Sequence, residues 1–101
     1  MEKYYLYRTT PFKDVPADEQ MVILLQDNRI YSHIPNIDSW AFCSAIQDDF
    51  FLGRSENEFT EISKEDAYSI AANVKPYSEI VTQICLQDAG KDGIIRLEDL
   101  R

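Results

Sequence analysis

The chain has 101 residues, 45% apolar and 12% aromatic, with eighteen acids against ten bases and a formal net charge of −8. That length points to one domain, 1–101, with a modest core of its own. The apolar content excludes a disordered acidic tail, and the charge argues against a nucleic-acid or anionic-membrane surface.

Lys3–Arg8 reads as a first strand, because its tyrosines suit a pleated surface. Pro11 and Pro16 bracket a polar loop, Phe12 to Glu19, in which neither strand nor helix should persist. Residues 20–26 form a second strand. Asp27-Asn28 tolerates positive φ, so Arg29–Ile34 should return as the other arm of a hairpin. Pro35 ends that arm. Asn36 or Asp38 is then expected to cap a helix. Ile37, Trp40, Cys43, Ile46 and Phe50 would form its apolar stripe, and Gly53 would stop it.

Past a polar stretch, 54–58, Phe59–Ile62 reads as a short extended piece. Ser63 is a strong helix cap, with Glu65 and Asp66 in the first turn. The helix it starts places Ala67, Ile70, Ala71 and Val74 on one face and breaks at Lys75-Pro76. A third helix is expected from about Tyr77 to Gln87, with Ile80, Val81 and Ile84 inward. Ile94–Leu97 is either a last strand or the start of another element. The sum is an α+β domain. A small antiparallel sheet, made of the N-terminal strand plus a hairpin and possibly a C-terminal strand, is covered by two or three helices.

Several residues carry candidate chemistry. The run from Asp88 to Asp99 places Asp88, Asp92, Gly93 and Asp99 at the first, fifth, sixth and twelfth positions of a twelve-residue loop. It resembles the calcium loop of the EF-hand family, whose oxygens wrap one ion. Gly90 stands at the third position, which normally supplies an oxygen, and Asp99 is shorter than the usual glutamate. A glycine turn leading into a strand is therefore the expectation, with a degenerate EF-hand-like, calcium-responsive module at 88–99 as the alternative. No other metal or cofactor is expected. Cys43 and Cys85 lack any tight ligand spacing and should be free buried thiols. His33 is the one group that titrates near neutrality, with Ser32, Ser39 and Ser44 near it in sequence. No nucleophile elbow or phosphate-binding glycine loop accompanies it, so an enzyme is not expected.

The strongest functional signal is charge placement. Asp38, Asp48, Asp49, Glu56, Glu58, Glu61, Glu65 and Asp66 are opposed only by Arg54 and Lys64, a local charge of −6. Glu65 and Asp66 have a structural task at a helix start. Asp48 and Asp49 would stand at a helix C-terminus, where the backbone dipole disfavours them. With Phe50 and Phe51 beside them, and with Glu56, Glu58 and Glu61, they are the candidate contacts for a basic protein partner. The most concrete version is an inhibitor, of immunity or antitoxin type or encoded by a phage, that occludes a nucleic-acid-handling protein. A subunit of a homo-oligomer is a further alternative; the oligomeric state itself is not fixed by the sequence. Met1–Tyr5 lacks the pattern of a signal peptide. The longest apolar run, Met21–Leu25, has five residues against about twenty for a bilayer span. The expected location is the cytoplasm.

Overall fold

The computed structural model describes residues 1–9, 14–53 and 56–101. Six strands form one antiparallel sheet: β1 (Lys3–Arg8), β2 (Met21–Gln26), β3 (Arg29–Ile34), β4 (Ser39–Phe42), β5 (Glu58–Ile62) and β6 (Ile94–Arg96). Three helices accompany them: α1 (Ser44–Leu52), α2 (Lys64–Ala71) and α3 (Glu79–Ala89). The strand order is β5-β1-β2-β3-β4-β6. The α+β expectation holds, with more strands than anticipated. The expected loop from Phe12 falls partly outside the described residues, as does Arg54. Its visible end carries one short 3-10 turn, Ala17–Glu19.

Local chemistry builds the centre of the sheet. Asp27 and Asn28 both adopt positive φ, 51° and 63°, which matches the twist of a two-residue hairpin between β2 and β3. Alternation along the strands then divides the core in two. Tyr4, Val22, Leu24, Tyr31 and Trp40 project to one face and pack against Ala67 and Ala71 of α2, and against Leu97. Tyr7, Ile23 and Ile30 project to the other and meet Ile46 of α1. Ile34 and Ala41 share that second face and meet Ala89 of α3. Hence α2 covers one face, while α1 and α3 lie together over the opposite one.

The main correction concerns residues 35–52. A helix spanning Ile37 to Phe50 does not form. Pro35–Ile37 makes a single 3-10 turn, and Asp38 closes it in the left-handed conformation at φ 46°. The reversed chain returns as β4, pairing His33 with Trp40 and Tyr31 with Phe42. Trp40 and Phe42 favour a pleated surface. Pairing leaves Trp40 fully buried between the Tyr4, Tyr68 and His33 rings. Neither Asn36 nor Asp38 caps α1. That helix starts at Ser44, and Gly53, at φ 60°, ends it as expected. β5 and α2 occur where expected, and the Ser63 hydroxyl accepts the Asp66 amide at 3.0 Å. α2 ends at Ala71, before Lys75-Pro76.

Candidate functional site

The acidic stretch does not form one surface. Asp49 turns inward from α1, and its carboxylate accepts the Tyr7 hydroxyl at 3.2 Å and the Asn57 side-chain amide at 2.9 Å. Burial, and then the Asp49 charge, push the Tyr7 phenol up to about 12. Asp49 is therefore accounted for by folding, contrary to the sequence reading, whereas Asp48 is exposed on the outer side of α1. Glu56 is exposed in the turn before β5. Glu58 pairs opposite Arg8 and Glu61 opposite Tyr5, so the two acids project to opposite faces of an edge strand.

The phenylalanine pair divides in the same way. Phe50 is half-buried, its ring centroid 5.1 Å from those of Tyr5 and Phe59. Phe51 stacks edge-on against Phe50 from outside and stays 50% exposed, beside Leu52 at 54%.

α3 forms, but it faces differently from expectation. Ile80, Val81 and Ile84, expected inward, are 75%, 45% and 60% exposed. Thr82 and Ala89 are buried instead, with Cys85 between them half-buried. Two polar clamps fix this rotation. The Asn36 side chain accepts the Tyr77 amide at 2.8 Å and donates to the Tyr77 carbonyl at 2.9 Å. At the other end, the Asp88 carboxylate accepts the Ser44 amide at 2.9 Å and the Ser44 hydroxyl at 2.8 Å. Small Ala89 then packs on small Ala41, which draws the helix close to β4. Apolar residues occupy so much of this helix's circumference that no rotation buries them all. That breadth was the signal available in the sequence for the exposed isoleucines.

Seven large apolar side chains are exposed among the described residues, and Phe51, Leu52, Ile80, Val81 and Ile84 all lie on α1 and α3. The other two are Met1 and Ile37. The outward side of α2, by contrast, shows Lys64, Glu65, Asp66 and Ser69. One helical layer thus carries the exposed apolar surface, with Asp48 set within it. α3 has only two charged residues, Glu79 and Asp88, and Asp88 is occupied by Ser44.

The remaining candidates are placed elsewhere. His33 is 3% exposed beneath Trp40, and burial pulls its pKa down to about 4, with Asp38 acting weakly the other way. Ser32 and Ser39 project from the face opposite His33, and Ser44 is bonded to Asp88, so no serine–histidine pair assembles. Asp88 belongs to α3, with both oxygens on the start of α1. Asp92 and Asp99 are exposed, and no cluster of three or more His, Cys, Asp or Glu suited to a metal occurs among the described residues. Gly93 sits where a Cβ would come 2.2 Å from the Ala89 carbonyl oxygen, so this glycine serves a close approach of backbones. Cys43 and Cys85 are free and half-buried, and burial pushes both thiols up. No helix among the described residues is long and apolar enough to cross a membrane. Neither a family model, a curated protein nor a solved structure matches the chain.

Proposed function

We propose that the chain is a small acidic binding module whose α1–α3 face engages a basic protein. In its most concrete form it is a cytoplasmic inhibitor, of immunity or antitoxin type or encoded by a phage, that occludes a nucleic-acid-handling protein. The observation that carries this reading is the gathering of Phe51, Leu52, Ile80, Val81 and Ile84 on one layer of a chain with net charge −8. Exposed apolar groups set among like charges are the anatomy of an interface, with anchors in the middle and a steering field around them. The contact set accordingly changes from the sequence reading. Asp48 and Phe51 stay in it. Asp49 and Phe50 serve the core. Glu56, Glu58 and Glu61 contribute to the field rather than to the contact.

The test is affinity capture with the wild-type chain and with Ile80→Asp/Ile84→Asp and Asp48→Lys variants. The double variant should keep its fold by circular dichroism and lose a basic partner by at least about tenfold in affinity. Asp48→Lys should chiefly slow association, an effect that fades with added salt. Retention of the partner by the double variant, or capture of acidic proteins only, would refute the proposal.

A second reading has one observation in its favour. The exposed stripe of α3 is nearly free of charge, so two copies could meet along it without strong repulsion. Light scattering that shows a dimer for the wild type and a monomer for Ile80→Asp/Ile84→Asp would select the homo-oligomer.

A further inference from the structure

Between α1 and α3 lies a crevice of about 360 Å³, within the size range of small-ligand sites. Met21 and Ser32 reach it from the sheet, Cys43 and Ile46 from the α1 side, and Val81 and Cys85 from α3. The Tyr77 ring also lines it, and Met21, Cys43 and Cys85 bring sulfur, which packs favourably against aromatic rings. Ser32 is 6% exposed and lines the crevice. A pure hydrocarbon filling the crevice would offer the Ser32 hydroxyl no hydrogen-bond partner. An occupant with a polar tip offers one. At the mouth, Lys75 is tied to Glu19 at 3.1 Å, which leaves Asp18 as the net charge.

We propose that this crevice receives a tyrosine side chain of the basic partner, its ring among the sulfurs of Met21, Cys43 and Cys85 and its hydroxyl on Ser32. A lysine or arginine next to that tyrosine faces Asp18. The assignment rests on reading the α1–α3 face as a binding surface. It adds the chemistry of the anchor, which the exposed residues alone do not specify.

The experiment uses the isolated chain and p-cresol as the tyrosine side-chain analogue, with toluene as control. Amide shifts by NMR report binding. Alkylation of Cys43 and Cys85 at alkaline pH, followed by mass spectrometry, reports protection. Millimolar p-cresol should protect both thiols, and toluene should bind about fivefold more weakly, the worth of one hydrogen bond. Ser32→Ala should abolish that difference while its thiols label, without ligand, as in the wild type. A Lys-Tyr-Lys peptide should then bind more tightly than Glu-Tyr-Glu, with the gap closing as salt is added.

No protection by p-cresol, equal binding of p-cresol and toluene, or equal binding of the two peptides each overturns the proposal. Equal peptides together with p-cresol binding would mark a site for free phenols instead. None of these readouts involves the partner. Failure here therefore leaves the capture result on Ile80 and Ile84 standing, and failure of that capture leaves these measurements intact.

Discussion

Asp48 and Asp49 are adjacent acids with opposite fates, and the difference is measurable. Asp49 holds the Tyr7 hydroxyl and the Asn57 amide against the sheet. Asp49→Ala should lower stability by about 1–3 kcal/mol in denaturant titrations, since two partly buried polar groups lose their acceptor. Asp48→Ala should stay within about 0.5 kcal/mol of wild type. His33 gives a pH signature. Its folded pKa, about 4, lies below the unfolded value of 6.5, so as pH falls the unfolded chain binds the proton first. Stability should be unaffected by this group above pH 6.5, fall below it, and level off near pH 4, a total of about 3 kcal/mol. A His33→Gln variant should lack that slope.

At the level of elements, the polar clamps matter more than helix propensity. Cys43, at the N-cap position of α1, is not a side-chain cap for the helix. Asp88, 44 positions away, supplies one instead. Asp88→Ala should cost about 1 kcal/mol in buffer free of calcium, and added calcium should not shift the melting temperature of the wild type. A calcium-dependent loss on substitution would instead revive the EF-hand-like reading of 88–99. The same clamps explain what the sequence revealed and what it hid. The Asp27-Asn28 turn, the Ser63 cap and the Gly53 stop are decided by neighbours in the chain, and each was legible. Strand β4 was not, because its partner in the sheet and the burial of Trp40 are non-local. The 3–4 spacing of Trp40, Cys43 and Ile46 imitated a helix. The rotation of α3 was hidden for the same reason: Asn36 holds Tyr77 from 41 positions away, and Ser44 holds Asp88 from 44. Of the candidate site, Asp48 and Phe51 could be found from sequence. Ile80 and Ile84 required knowing which way the helix faced.

Across the whole molecule, the sheet has two edges to defend. β6 is three residues long and runs directly into the Leu97–Leu100 turn, which limits what could pair with it. β5 is longer and carries Glu58 and Glu61 along an exposed edge. Charged side chains on an edge strand discourage pairing with another chain. Replacing both with valine should leave thermal stability at or above wild type, yet produce concentration-dependent aggregation visible by light scattering. That outcome would assign these two acids to guarding the sheet edge, separately from any steering of a partner.

Trp40 is the chain's single tryptophan, and it sits on the α2 side of the sheet, fully buried among Tyr4, Tyr68 and His33. The protein therefore carries an intrinsic optical reporter on the side away from its proposed contact. Its emission should be blue-shifted when folded, fed by energy transfer from the two tyrosines, and quenched when His33 takes up a proton. Docking on the opposite helical layer should leave that spectrum unchanged, so fluorescence would follow folding while remaining blind to binding.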